Sequence, residues 1–153
     1  NHCTAIFKIL NEYVENGGTV IMQYITSGFR SNLDLSDFSP YPIKIGRERV
    51  TEEDAKVTFV NPNHSVLSHP NKITEKDFEN WIQERGLYFG AEWSKEFEPI
   101  FSMNDKNESP KQGSLLITKH GKGHFVYTGI SFFRQIPNGT DGAYRLLVNL
   151  IEL

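Results

Sequence analysis

The chain has 153 residues, a formal net charge of −3 and a sequence pI near 6.0. This length suits one domain built around one hydrophobic core. No basic patch dominates, which argues against a nucleic-acid partner, and no apolar run reaches the ~18 residues that a membrane span needs. The single cysteine, Cys3, has no second cysteine with which to form an internal disulfide.

The first predicted elements are a helix and a strand. Apolar residues recur at helical spacing over residues 5–14, and Gly17 and Gly18 follow where a helix would end. Residues 19–24 form an almost continuous apolar run, which is typical of a strand buried on both faces in a parallel sheet. Helix then strand is half of a βαβ unit, so we expect earlier strands to be missing and residues 1–153 to be a single domain of a larger protein.

The sequence pattern in the middle of the chain predicts two long, mostly irregular segments and several short strands. Polar, proline-containing segments occupy residues 25–56 and 61–98. The second of these segments contains a predicted helix at residues 74–85, which begins at Thr74 as N-cap and places Phe78, Trp81 and Ile82 on one face. Short strands are predicted at residues 43–45, 57–60 and 99–103.

The last third of the chain predicts a strand, a tight turn, a second strand, a loop and a helix. Residues 113–131 carry the two strands, which meet at Gly121-Lys122-Gly123. This turn resembles no phosphate-binding loop and is interpreted as a hairpin. Residues 142–151 are the predicted C-terminal helix.

Two arginines, Arg47 and Arg49, stand near the short strand at residues 43–45. Guanidinium groups at this spacing suit bidentate contacts with a carboxylate, a phosphate or sugar hydroxyls. The acidic residues 52–54 follow closely, so a surface ion-pair network is the alternative interpretation.

Aromatic and charged residues are interleaved around the predicted helix at residues 74–85. Stacking faces next to hydrogen-bonding side chains are what carbohydrate sites use, and Trp81, Glu84, Arg85 and Tyr88 provide both. The alternative is a small core that holds this segment together or forms a domain interface.

The histidines do not predict a metal site. His64 and His69 share one loop, whereas His120 and His124 flank the predicted hairpin. None belongs to a recognised zinc motif, and a metal site needs three or four converging ligands.

Four segments carry a family resemblance: residues 10–24, 42–47, 77–89 and 121–134. They resemble the C-terminal glutamine-amidotransferase-like domain of bacterial PIG-L/LmbE-type deacetylases, common in the Bacteroidetes. Trp81-Ile-Gln-Glu-Arg-Gly-Leu-Tyr-Phe89 is the most specific part, and the likeness to ThuA-like domains is looser.

The resemblance implies a zinc-dependent N-acyl-sugar deacetylase upstream of this chain, with no cofactor in the chain itself. The deacetylase motif H-P-x-D-D is absent, because Asn71 and Lys72 follow His69-Pro70. The amidotransferase triad is also absent: Tyr24-Ile25-Thr26 stands at the place of the cysteine, and residues 132–134 stand where the histidine and glutamate belong. Family members are often exported, so the resemblance implies a periplasmic or exported setting.

The sequence therefore predicts an α/β, flavodoxin-like three-layer fold of the GATase-like kind, truncated at its N-terminus and carrying long insertions. The leading hypothesis is a non-catalytic accessory domain for carbohydrate binding or for assembly with the upstream deacetylase domain. One alternative is a ThuA-like sugar-processing hydrolase using His64 or His120 with Glu84 or Asp77, and another is a purely structural interaction domain. The predicted ligand-binding residues are Arg47, Arg49, Trp81, Glu84, Arg85, Tyr88 and Arg134.

Overall fold

The computed structural model describes residues 2–26 and 33–153. The elements, in chain order, are α1 (His2–Glu15), β1 (Thr19–Gln23), β2 (Leu33–Asp34), β3 (Ile43–Ile45), β4 (Val57–Phe59), two 3₁₀ turns (Ser65–Leu67 and Glu75–Phe78), β5 (Gly90–Trp93), β6 (Glu98–Pro99), β7 (Phe101–Met103), β8 (Leu115–His120), β9 (Gly123–Thr128), α2 (Phe132–Gln135) and α3 (Asp141–Ile151).

A mixed four-stranded sheet with the order β1-β9-β8-β6 lies at the centre of the fold. β1 runs parallel to β9, whereas β8 is antiparallel to both β9 and β6. Two small antiparallel sheets, β2-β3-β5 and β4-β7, accompany it. The prediction of an α/β fold is confirmed at this level.

Side chains alternate across the central sheet and supply two hydrophobic cores, as the two-residue period of a strand requires. One core lies on the α3 side and contains, among others, Ile21, Ile117, Val126, Leu146 and Leu150. The other lies on the β3 side and contains, among others, Val20, Ile43, Leu116, Phe125 and Tyr127.

The predicted hairpin is confirmed between β8 and β9. His120 pairs with Gly123, and Gly121 takes the left-handed backbone conformation with φ +59°. A side chain at Gly121 would also clash, since its Cβ would lie 2.6 Å from the Glu15 carbonyl oxygen. The hairpin turn therefore packs directly on the end of α1.

The predicted helix at residues 74–85 is wrong. Thr74 does begin a capping box with Asp77, but only one 3₁₀ turn follows. Glu79 is extended, and Asn80 and Gln83 are left-handed. Tertiary contacts decide this segment, because Gly86 pairs with Val50, drawing the chain away from a helical path.

Two strand predictions also need correction. β1 is parallel to β9 as expected, but its residues are half-buried or exposed, because within the described residues no second strand covers its outer edge. The strand predicted at residues 99–103 divides at Ile100 into β6 and β7, which belong to different sheets.

Candidate functional site

The carboxyl ends of β1 and β9 lie side by side, because these two strands are parallel. Tyr24 directly follows β1, and its backbone N–H donates to the Thr128 carbonyl at 2.9 Å. The chain leaves β9 through Gly129 and then forms α2, which carries Phe133 and Arg134. In α/β folds, ligands bind at this end of the strands.

A loop from the middle of the chain crosses the same end of the sheet. Gly86 forms bridges with Val50 and Ile130, and the Leu87 N–H donates to the Gly129 carbonyl at 2.9 Å. This path brings Glu84 and Tyr88 beside Tyr24 and α2.

Glu84 lies at the centre of the polar contacts. Its Oε1 accepts a hydrogen bond from Arg134 Nε at 2.7 Å and a longer one from the Tyr24 hydroxyl at 3.3 Å. The side chain of Glu84 is 11% exposed and that of Arg134 is 34% exposed. The hydrogen bond to Glu84 raises the pKa of Arg134, while burial, reinforced by Glu84, raises the pKa of Tyr24. Both groups therefore remain protonated donors at neutral pH.

Three aromatic rings surround this polar centre. Tyr24 makes edge contacts with Tyr88 and Phe133, with ring centroids 5.2 and 4.6 Å apart. The Arg134 guanidinium lies 4.9 Å from the centroid of Phe133, whose side chain is exposed (49%). We refer to Tyr24, Glu84, Tyr88, Phe133 and Arg134 as the carboxyl-end cluster.

The cluster contains two residues in an unfavourable backbone conformation. Tyr24 and Tyr88 each have φ +57°, in the left-handed region. Such conformations cost on the order of 1–3 kcal/mol for residues other than glycine and concentrate at ligand sites.

Buried side chains hold the crossing loop in place. The Gln135 side chain accepts from the Ile82 N–H at 3.0 Å and donates to the Ile82 carbonyl at 2.9 Å. The Ser131 hydroxyl donates to the Glu84 carbonyl at 2.7 Å, and the Tyr127 hydroxyl donates to the Tyr88 carbonyl. The positions of Glu84 and Tyr88 are thus fixed by the sheet and by α2.

An apolar cleft of about 490 Å³ adjoins the cluster. It extends from the Tyr24 and Phe133 rings toward α3. The lining residues are Gln23, Tyr24, Phe132, Phe133, Ile136, Pro137 and Leu147. A ligand on the cluster would therefore meet apolar as well as polar groups.

Two of the predicted site residues, Trp81 and Arg85, lie in the interior. Each is 4% exposed. Trp81 stacks on Phe78, while the Arg85 guanidinium donates to the carbonyls of Ala55 and Phe78. Burial lowers the pKa of Arg85 to about 10, so it remains charged at neutral pH. These contacts match the small-core interpretation of the aromatic segment.

Trp81 and Arg85 also form the floor of a second cleft of about 620 Å³. Its rim is mainly acidic and includes Glu53, Asp54, Glu75 and Glu79. Because both floor residues are almost fully covered, this cleft offers a ligand little aromatic surface.

The remaining predicted residues, Arg47 and Arg49, lie outside the cluster contacts. Arg47 is exposed. Arg49 Nη1 contacts Asp105 at 3.4 Å and Glu108 at 3.3 Å, rather than the acidic residues 52–54. The ion-pair interpretation thus fits Arg49, with different partners from those the sequence indicated.

The structure brings together three predicted residues, Glu84, Tyr88 and Arg134, and adds two that the sequence analysis did not select. Phe133 and Tyr24 join them only through the register of β1 and β9 and the path of the crossing loop. The signal available in the sequence was the position of each residue at or close to the end of a predicted strand. Residues 27–32, near the start of the predicted polar segment at residues 25–56, lie outside the described residues.

Within residues 2–26 and 33–153, no group of three His, Cys, Asp or Glu side chains is arranged to hold a metal ion. His120 Nε2 instead contacts Glu15 at 3.0 Å, and His64 Nδ1 accepts from the Val66 N–H at 3.1 Å. In the same described part of the chain, no helix is both long and apolar enough to cross a membrane.

Comparisons with protein-family models, curated proteins and solved structures gave no match for this chain. The geometry of the carboxyl-end cluster is therefore the basis for assigning a function.

Proposed function

We propose that this chain is a non-catalytic, carbohydrate-binding accessory domain of a PIG-L/LmbE-type N-acetyl-sugar deacetylase. The proposal includes a flavodoxin-like, GATase-like three-layer fold that is truncated in this chain. The carboxyl-end cluster is the observation that carries it. Zinc chemistry would belong to the upstream deacetylase domain, which the family resemblance implies.

The chemistry of the cluster supports sugar binding. Sugar rings present C–H faces that pack on aromatic rings and hydroxyls that need both donors and acceptors. The exposed Phe133 ring supplies a stacking face. Arg134 supplies planar, charged donors, while the carboxylate of Glu84 supplies acceptors. Because Glu84 already orients Arg134, little conformational freedom is lost when a ligand binds.

The same residues favour binding over catalysis. Tyr24 stands where a nucleophile would follow β1, and its pKa is raised rather than lowered. A nucleophile is activated by a lowered pKa or by an adjacent base. The nearby Glu84 Oε1 already accepts from Arg134 Nε at 2.7 Å, and its contact with the Tyr24 hydroxyl is longer, at 3.3 Å.

The hydrolase alternative receives no support from the described contacts. It required His64 or His120 to act with Glu84 or Asp77. Instead, Asp77 pairs with Arg145 at 2.7 Å, Glu84 pairs with Arg134, and His120 pairs with Glu15.

NMR titration with oligomers of N-acetylglucosamine, and in parallel with oligomers of glucosamine, tests the proposal. Amide shifts should concentrate at residues 24 and 84–88 and in α2. Arg134→Gln should weaken binding at least tenfold, because it removes the donor that faces the sugar.

Arg145→Gln is the matched control. Arg145 Nε contacts Asp77 at 2.7 Å, and the two side chains are 42% and 10% exposed, close to the values for the Arg134–Glu84 pair. Arg145 joins α3 to a 3₁₀ turn and is not part of the cluster, so its replacement should leave affinity unchanged. Equal effects of the two variants, or shifts confined to another surface, would refute the carboxyl-end cluster as a sugar site.

A further inference from the structure

The apolar cleft beside the carboxyl-end cluster differs in composition from the cluster itself. Five of its seven lining residues are apolar, and only Gln23, which is exposed, and Tyr24 have polar side chains. None of these seven residues is charged, whereas the cluster is built around the Arg134–Glu84 pair. The two surfaces share Tyr24 and Phe133, so the cleft continues the cluster toward α3.

The walls of this cleft hold few free hydrogen-bonding groups. The Ile136 carbonyl already accepts from the Gly139 N–H at 3.1 Å and from the Tyr144 hydroxyl at 2.7 Å. The Tyr24 hydroxyl is engaged with Glu84. A hydroxyl group that moves from water into such surroundings loses its hydrogen bonds, whereas an apolar group gains free energy by leaving water. The cleft therefore suits an apolar part of a ligand and disfavours a hydroxylated one.

The cleft also has room for a ring-shaped group. Its volume is about 490 Å³. An enclosed apolar cavity of ~150 Å³ holds a benzene molecule, so one or two rings fit in this larger space. On the side of the cluster, Tyr24 and Phe133 meet edge to edge with ring centroids 4.6 Å apart. Fixed aromatic side chains of this kind make favourable face and edge contacts with further rings.

We propose that the carboxyl-end cluster binds a sugar that carries an apolar ring as a substituent, with the sugar on the cluster and the ring in the cleft. This inference rests on the proposed function, because it names the class of ligand for the same site. The sugar hydroxyls contact Arg134 and Glu84, while the ring leaves water and packs on Phe133, Ile136 and Leu147. Neither an unsubstituted sugar nor a free aromatic compound fills both surfaces, so the combination provides selectivity.

Isothermal titration calorimetry of the 153-residue chain tests this class of ligand. The two probes are the methyl and the phenyl β-glycosides of N-acetylglucosamine, which differ only in the group attached to the sugar. Burial of each methylene-sized group improves affinity roughly fourfold, so a phenyl ring that buries two or more carbons should bind at least tenfold more tightly than the methyl group.

Leu147→Gln is the test variant, and Val148→Gln is its matched control. Leu147 lines the cleft from α3 and is not part of the carboxyl-end cluster. Val148 is its neighbour on the same helix, is 41% exposed and does not line the cleft. Leu147→Gln should remove most of the difference in affinity between the phenyl and methyl glycosides. Val148→Gln should change neither affinity.

Isotope-filtered NMR on the unsubstituted chain supplies a second readout, which does not depend on how well a variant folds. Protons of the bound phenyl ring should show nuclear Overhauser effects to the methyl groups of Ile136 and Leu147. Effects confined to methyl groups on another surface, such as those of Ile6 and Ile9 on α1, would place the ring elsewhere and overturn the proposal.

The remaining outcomes separate this inference from the proposed function. Equal affinities for the methyl and phenyl glycosides would overturn the apolar substituent and leave sugar binding standing. Equal affinities for the phenyl glycoside and for free phenol would show that the sugar contributes nothing, and would contradict both proposals, as would a failure of both glycosides to bind. Dimerisation of the chain that Leu147→Gln abolishes would assign the cleft to a second copy and overturn the inference.

Discussion

Replacement of Arg85 by methionine separates a structural role from a ligand-binding role at a predicted site residue. The Arg85 guanidinium donates to the Ala55 carbonyl through Nε at 3.1 Å and Nη2 at 2.8 Å, and to the Phe78 carbonyl through Nη1 at 2.5 Å. Methionine keeps much of the apolar stem and removes all three donors.

The magnitude follows from the two carbonyl groups left without a partner. Each buried acceptor that loses its donor costs about 1–3 kcal/mol, so the free energy of unfolding should fall by roughly 2–6 kcal/mol. That is a large share of the ~5–15 kcal/mol by which domains are usually stable. Loss of the guanidinium contacts with Phe78 and Trp81, 5.8 and 5.6 Å from the ring centroids, acts in the same direction.

Urea unfolding monitored by tryptophan fluorescence measures this change, with Arg145→Met as the control at a partly exposed arginine. The control should lose less stability than Arg85→Met, because the Arg145 side chain is 42% exposed and water can replace it at the exposed Lys72 carbonyl. Arg85→Met should still bind sugar under conditions in which it is folded. Unchanged stability together with lost binding would place Arg85 in the ligand site and refute the structural interpretation.

Two further predictions concern acid stability. Burial acts to raise the pKa of Asp105, but hydrogen bonds from the Glu52 and Thr51 amides lower this pKa overall. Asp105→Asn should therefore reduce the free energy of unfolding by about 1 kcal/mol at pH 7. The reduction should become progressively smaller as the pH falls below ~4. Denaturant titrations at pH 7 and pH 3.5 measure this loss of stability, with the exposed Glu79→Gln as control. A loss that does not depend on pH would contradict the prediction. Burial lowers the pKa of His124, so the folded protein favours the neutral imidazole. The contribution of neutral His124 to stability is complete above pH ~6.5 and is lost as the pH falls further, because the unfolded chain then binds the proton more readily. In thermal melts, His124→Gln should therefore lose less stability than the parent chain between pH 7.5 and pH 5.0. Equal losses for the two chains would argue against a role for this imidazole.

Much of the central sheet could be predicted because its signals are local. The helical spacing in α1 and α3, the apolar run of β1 and the glycines of the β8–β9 hairpin all specify structure within about a dozen residues. The segment at residues 74–85 failed because helical spacing of apolar residues is also compatible with an irregular loop that buries Phe78 and Trp81. The contacts that decide its path, such as those of Gln135 with Ile82, join residues 53 positions apart.

The candidate site was only partly predictable for the same reason. Residue type was enough to select Glu84 and Tyr88, which stand in and after the predicted helix at residues 74–85, and Arg134, which follows a predicted strand. The contact of Glu84 with Tyr24 depends on how β1 pairs with β9 and on how the crossing loop packs, neither of which is encoded locally. The sequence alone does not distinguish Arg85 from Arg134, because both are arginines near aromatic and acidic residues. The fold buries Arg85 and leaves Arg134 partly exposed.

The left-handed tyrosines give the strongest physical reason to regard the carboxyl-end cluster as more than packing. Glycine or asparagine adopts φ near +57° at lower cost than tyrosine, so the backbone alone does not explain Tyr24 and Tyr88. What tyrosine adds is a ring and a hydroxyl. The Tyr24 hydroxyl reaches Glu84, and the two rings meet edge to edge beside the exposed Phe133. The strain therefore places aromatic surface next to a fixed Arg134–Glu84 pair, the combination that a sugar ring and its hydroxyls require.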